Sequence, residues 1–240
     1  MSTHTNELGQ PVGFPMPDWK PARIPDRTPM EGRYCRVEAI APEHRDDLYE
    51  AFLLDTDGRN WTYLSQGPFD SRDAFDRWYA AHCADPSRIT QAIRDRDTGR
   101  AIGIASYLRV DPAVGSIEVG YINFAPPLQR TRMATEAMYL MMARVFDELG
   151  YRRYEWKCDS LNAPSRSAAL RLGFTYEGRF RQATIYKNRN RDTDWLSILD
   201  SEWPAIRRGF EVWLDRSNFD AARNQRASLS SLIDANRKAA

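Results

Sequence analysis

One pattern, running from Ser116 to Cys158, constrains this chain more than any other. Ser116–Phe124 has the composition and alternation of a strand. Pro126-Pro127 end it, because proline fixes φ and offers no N–H. From Thr131 to Leu149 the apolar residues Ala134, Ala137, Met138, Met141, Val145 and Leu149 recur at helical spacing, and Gly150 suits the position that closes a helix. Tyr151–Cys158 then reads as a second strand. A strand, a helix and a strand joined this closely require two parallel strands, with the crossover helix packed on one face. All-helical and purely antiparallel folds are thereby excluded.

The remaining elements extend that unit into an α+β fold. A strand begins at Arg33, and a helix runs from Pro42 to about Leu54. After an aromatic and polar loop (Asp57 to Phe69), Ser71 is placed to cap a second helix carrying Ala74, Phe75, Trp78, Tyr79 and His82. Ile89–Arg94 and Ala101–Val110 are strand-like and joined by Asp97-Thr98-Gly99, and with Ser116–Phe124 they form an antiparallel meander. A short helix follows from Asn162 to Leu172, closed by Gly173. Phe174–Gln182 and Asp194–Leu199 read as a hairpin, and Glu202–Leu214 as a final helix with Trp203, Ile206, Phe210 and Trp213 on one side. The domain is expected over 33–216.

Residues 1–32 form a Pro-rich arm, with six prolines between Pro11 and Pro29. Phe14, Met16, Trp19 and Ile24 favour an extended arm lying on the domain over a flexible leader. Residues 217–240 are polar, and read as a weak helix or a frayed tail.

Composition narrows the function. Mean hydropathy is −0.63, and no run reaches the ~18 apolar residues of a membrane span. Met1–Gln10 lacks the apolar centre of a secretion signal. Three cysteines without a CxxC spacing point to reduced thiols and a cytoplasmic location. The histidines His4, His44 and His82 have no metal-ligand spacing, so no metal is expected. A net charge of +1 argues against a protein that grips nucleic acid by bulk charge. Of 34 basic residues only four are lysine, a bias that a GC-rich genome explains for the set as a whole.

Two arginines stand out by position. A helix start offers unpaired N–H groups and a positive dipole end. Arg130 and Arg132 oppose that dipole, which makes sense where a pyrophosphate binds. Two solvated arginines are the alternative.

The order of elements, together with Ile117-Glu118-Val119-Gly120-Tyr121, Gln129-Arg130-Thr131-Arg132-Met133-Ala134, Asn162-Ala163-Pro164-Ser165, Leu172-Gly173-Phe174, Glu177-Gly178 and Gln182-Ala183, resembles the GCN5-related N-acetyltransferase (GNAT) superfamily and its RimJ/RimL-like branch. The resemblance covers about Arg33 to Trp203. It implies a mixed, mostly antiparallel central sheet with a splayed parallel strand pair and helices on both faces. It implies acetyl-CoA as co-substrate between Ser116–Phe124 and Tyr151–Cys158, with pantetheine along Ile122, Asn123 and Phe124. The pyrophosphate would rest on Gln129, Arg130, Thr131, Arg132, Met133 and Ala134. The family pattern there is Q/R-x-x-G-x-G/A, and Arg132 replaces its middle glycine.

By the same resemblance Asn162 holds the cofactor, and Ser165 protonates the departing thiolate; helix capping is the other reading of Ser165. The tyrosine used by many relatives falls at Ala169. Glu118 is the candidate base, with a cross-strand ion pair to Arg109 as the alternative. The RimL-type glutamate position is Thr184. The implied reaction is acetyl transfer to a primary amine, either a protein N-terminus or a small molecule, by a monomer or a homodimer. A non-catalytic acyl-CoA or protein-binding module is the rival.

Asp46, Asp47, Glu50, Asp55 and Asp57 are either a solvated face or an acidic lip that draws in an amine, with Trp61 and Tyr63 as walls. Arg179, Arg181, Lys187, Arg189 and Arg191 are either solvated hairpin charge or a site for an acidic acceptor; they are also the only support for nucleic-acid binding.

Overall fold

The meander and the crossover unit merge into one eight-stranded sheet. The computed structural model describes residues 4–239; the first three residues of the arm and the last of the tail lie outside the described residues. In chain order the elements are β1 (His4–Thr5), β2 (Pro11–Val12), β3 (Met30–Glu31), β4 (Cys35–Ala39), α1 (Arg45–Leu53), α2 (Arg72–Ala84), β5 (Arg88–Asp95), β6 (Ala101–Asp111) and β7 (Ser116–Phe124). Then come α3 (Arg132–Ala143), β8 (Arg153–Asp159), α4 (Ala163–Arg171), β9 (Thr175–Tyr186), β10 (Arg189–Leu199), α5 (Trp203–Leu214) and α6 (Leu229–Lys238). β1 and β2 pair only with each other. The sheet order is β3-β4-β5-β6-β7-β8-β10-β9, and β7–β8 is its parallel pair.

Each face of the sheet has its own core. Ile117 and Val119 of β7, Tyr154 and Trp156 of β8, Met138 and Met141 of α3, and Phe210 of α5 fill one side. α1, α2 and the loop between them cover the other with Phe52, Trp61, Phe75 and Trp78, where the loop residue Trp61 meets Trp78 edge-on at 5.5 Å. Local chemistry sets the ends. Ser71 Oγ accepts from the Ala74 amide at 3.2 Å and caps α2. Gly150 takes φ +79 after α3, which has continued through a single π-type turn, Arg144–Glu148.

Two segments, the closing hairpin and the tail, differ from the sequence reading. The closing hairpin is longer than its apolar pattern, because Lys187 and Asn188 adopt φ +46 and +57, the tight turn that matches strand twist, and carry the pairing through the polar residues 183–193. The arm is tied down: Trp19 Nε1 donates to Ala113 O at 2.8 Å, the Arg23 amide donates to Leu149 O at 2.9 Å, and Met30–Glu31 adds an edge strand. The tail is not frayed. Leu229 and Ile233 of α6 are buried, and a Cβ at Gly209 would lie 2.6 Å from Ile233 Cγ1, so α5 and α6 approach as closely as a glycine permits. Two apolar residues one turn apart suffice when a finished face awaits them.

Glu136 fastens the first strand to the crossover helix. It is buried in α3 and accepts from the amides of Arg33 (2.7 Å), Tyr34 (2.6 Å) and Cys35 (2.9 Å). Burial and the Glu136 carboxylate push the Cys35 thiol well above its usual range. Replacing Glu136 by Ala leaves three amides without an acceptor. The expected loss is about 3 kcal/mol in urea unfolding, with Glu136→Gln costing less.

Candidate active site

The site begins where β7 and β8 stop pairing. They are in register from Ser116–Arg153 to Val119–Trp156 and then part. Each strand keeps its outer neighbour beyond that point: β7 pairs with β6 as far as Phe124, and β8 with β10 as far as Asp159. Tyr121, at φ +48, is a bulge in β7. It reverses the alternation, so Tyr121 shares a face with Glu118, His82 and Arg88 rather than with Ile117 and Val119. Ile122 and Phe124 now turn to the α3 side. The Asn123 side chain is buried, and its amide meets no partner among the described residues.

α3 starts beside this gap. Thr131 Oγ1 accepts from the Ala134 amide at 3.1 Å, and Thr131 O from the Thr135 amide at 3.4 Å. The amides of Arg132 and Met133, in the first turn, have no intrahelical acceptor and are available to an anion. Arg130 has φ +59 and is exposed. The Arg132 side chain is engaged elsewhere: its guanidinium lies 5.2 Å from the Tyr34 ring and 4.4 Å from the Phe219 ring. Gln129 Nε2 donates to Phe124 O at 2.8 Å and to Asn60 Oδ1 at 2.9 Å, which closes the end of β7.

On the other side of the gap Asn162 caps α4, its Oδ1 accepting from the Ser165 amide at 3.1 Å. Capping therefore falls to Asn162 and not to the Ser165 hydroxyl. Trp156 Nε1 donates to Ser165 Oγ at 3.0 Å, so the serine O–H is left to donate.

Glu118 is buried with two cations on Oε2, Arg109 Nη1 at 2.5 Å and Lys157 Nζ at 2.8 Å. Its Oε1 lies 3.3 Å from where a Cβ at Gly120 would be, at the mouth of the gap. Lys157 also meets Glu155 at 2.8 Å and lies 3.7 Å from the Trp195 ring centroid. Arg153 joins Glu155 (2.6 Å) to Glu177 (2.5 Å). An alternating chain of charge thus crosses the floor of this face. At its lower end is a groove of about 660 Å³, lined by Pro21, Arg109, Asp111, Ser116, Glu155 and Trp195.

Loops bridge the opening. Asn60 Nδ2 donates to Phe124 O at 3.1 Å, Tyr63 Oη to Leu161 O at 3.1 Å, and Lys187 Nζ to Trp61 O at 2.6 Å. Trp61 itself is buried under α1 and α2, so Tyr63 is the aromatic that spans the gap. Four of the five acidic residues are paired: Asp46 with Arg45 and Arg72, Asp47 and Glu50 with Arg100, and Asp57 with Arg59, while Asp55 Oδ2 accepts from the Asn60 amide at 3.0 Å. They do not form a free acidic lip. Among the described residues no group of three His, Cys, Asp or Glu side chains could hold a metal, and no helix is long and apolar enough to cross a membrane.

Sequence reasoning missed the group around Tyr121. His82 is buried; its Nε2 is 2.9 Å from Thr90 Oγ1, and its Nδ1 is 3.2 Å from Arg88 Nη1. A histidine at helical spacing next to Trp78 reads as packing; only the bulge brings it to the site.

A family model described as an acetyltransferase (GNAT) domain matches residues 36–175. The chain belongs to the GNAT acetyltransferase family. Its activity class is therefore acetyl transfer to an amine, with acetyl-CoA as the family's acetyl donor. It is 23% identical over 171 residues to the ribosomal-protein-serine acetyltransferase of Escherichia coli K12, an alignment covering 69% of this chain and 93% of that one. The crystal structure of a GCN5-related N-acetyltransferase from Brucella melitensis is 42% identical, with a TM-score of 0.89, covering 91% of this chain and 100% of that one. The fold is also that of the spermidine N-acetyltransferase of Vibrio cholerae solved with CoA and spermine, at 20% identity and a TM-score of 0.55, covering 71% of this chain and 98% of that one.

Burial, and then the Arg88 charge, pull the His82 pKa down to about 4 from 6.5. Between those values the unfolded chain binds a proton that the folded chain does not, so stability falls as pH falls through that window. Urea titrations should show about 2 kcal/mol less stability at pH 5 than at pH 7 from this group. His82→Gln should remove that part of the slope.

Proposed function

We propose that this GNAT protein moves an acetyl group from acetyl-CoA to a primary amine by direct attack, the amine being a protein N-terminus or a small molecule. The observation that carries the reading is the pairing of a free-edged, parted β7–β8 with a serine hydroxyl at its mouth whose lone pair is already occupied by Trp156. The amides of Arg132 and Met133, with the exposed Arg130 beside them, suit the pyrophosphate. The inner edge at Ile122 and Asn123 suits an amide-bearing pantetheine arm, since backbone groups left open in a cleft need partners, whereas the Phe124 carbonyl next to it already accepts from Gln129 and Asn60. Asn162 supports this side by fixing the turn that presents Ser165.

In this reading the amine nitrogen bonds to the thioester carbonyl carbon and loses a proton to Glu118 Oε1, directly or through a water. The carbon–sulfur bond breaks, and Ser165 Oγ gives its proton to the sulfur. Arg109 and Lys157 serve by holding Oε2, which keeps Oε1 facing Gly120. Thr184, an exposed residue of β9, has no acid–base part. Three free cysteines, two of them buried, fit a reducing cytoplasm.

Calorimetry with acetyl-CoA should give binding below millimolar, and a free-thiol assay over peptides and polyamines should give CoA release with at least one amine. Ser165→Ala should lower kcat by about 10²-fold and leave the acetyl-CoA Kd within about twofold. Binding without CoA release from any amine would mean a non-catalytic acyl-CoA module instead.

A further inference from the structure

We propose that Tyr121 positions the acceptor amine, its hydroxyl being the hydrogen-bonding group and Arg88 with His82 the clamp that aims it. This rests on the acetyltransferase reading above. The first observation is placement. The bulge at φ +48 turns the Tyr121 ring onto the Glu118 face, at the residue after Gly120 where β7 leaves β8. A bulky residue rarely adopts positive φ, and such strain persists only where the surroundings over-determine it.

The surroundings here do. The Arg88 guanidinium lies 4.1 Å from the Tyr121 ring centroid, and the His82 ring meets it edge-on at 5.7 Å. Arg88 is anchored by Asp85 and by His82 Nδ1. With Nδ1 facing an arginine donor, neutral His82 carries its hydrogen on Nε2 and donates to Thr90 Oγ1. Thr90 in turn lies 2.8 Å from Ser106 Oγ. This buried chain fixes the Tyr121 ring, and its His82 also packs on Trp78 at 5.0 Å. It is kept although Arg88 Nε is buried without a partner among the described residues.

The hydroxyl is the functional end. Tyr121 Oη lies 3.2 Å from Ser65 Oγ, on the loop that bridges the gap. Two hydroxyls share one hydrogen in that contact, so a lone pair and a second hydrogen stay unspent. An amine N–H is the complementary donor. Because Arg88 occupies one face of the ring, the acceptor is held through Oη and not by stacking as a cation.

The test uses the full chain and the amine of highest turnover in the thiol assay. Tyr121→Phe keeps the ring and its clamp and deletes only the hydroxyl. The acceptor KM should rise about tenfold, with the acetyl-CoA Kd and the thermal midpoint unchanged. Arg88→Met, which loosens the clamp, should raise the acceptor KM in the same direction with the acetyl-CoA Kd again unchanged. An acceptor KM and kcat within about twofold of the parent in Tyr121→Phe overturn the proposal, as does an equal loss of acetyl-CoA affinity, which would mark Tyr121 as structural. A parent that releases no CoA with any amine overturns both readings; an active parent with an unaffected Tyr121→Phe overturns this one alone.

Discussion

The short parallel pairing of β7 with β8 is the constraint on which the rest of the molecule depends. Four residues pair, and then the strands diverge. Backbone N–H and C=O groups that leave a sheet must find other partners. β6 and β10 satisfy the outer edges through the divergence, so the gap is held open by the sheet itself and needs no separate support. Only the inner edges are left for a ligand. The crossover helix that enforces parallel pairing also delivers its own N-terminus to the same place, so one topological rule supplies both the cleft and a helix start with open amides.

Charge is arranged around that gap by pairing and not by excess. Arg109, Glu118, Lys157, Glu155, Arg153 and Glu177 alternate in sign across neighbouring strands, which keeps several poorly exposed charges compensated. The α1 carboxylates are likewise matched by Arg72 of α2 and by Arg100 just before β6. The arginine-rich composition therefore serves the fold at many points, while the exposed Arg130 is left at the helix start. On the hairpin, Arg179 pairs with Asp194 at 2.8 Å and Lys187 is spent on a carbonyl.

Much of this was legible in the sequence, because the strong signals were periodic or positional. The helical spacing of Ala137, Met138 and Met141, the stop at Pro126-Pro127, the cap at Ser71 and the glycine at 150 each rest on local physics. What escaped was set by contacts distant in sequence. The bulge at Tyr121 has no local signature, and one inserted residue moves every later side chain to the other face. Glu136 sits in a helix where a carboxylate reads as solvated; its partners are three amides about a hundred residues away. The ion pair of Glu118 with Arg109 was open as an alternative, but the share of Lys157 was not visible from spacing. The tail has too few apolar residues to announce a helix without α5 to dock against.

The Arg132 sandwich couples parts of the chain that are far apart in sequence. The rings that hold Arg132, Tyr34 and Phe219, lie outside the segment that the family model spans. Neither half of this arrangement can change freely without the other. A glycine at 132 would leave two aromatic rings without their partner, and loss of the tail would free a guanidinium at the start of α3. The segment before β4, the first turn of α3 and the tail are thereby tied together, so a change in any one of the three is felt by the other two.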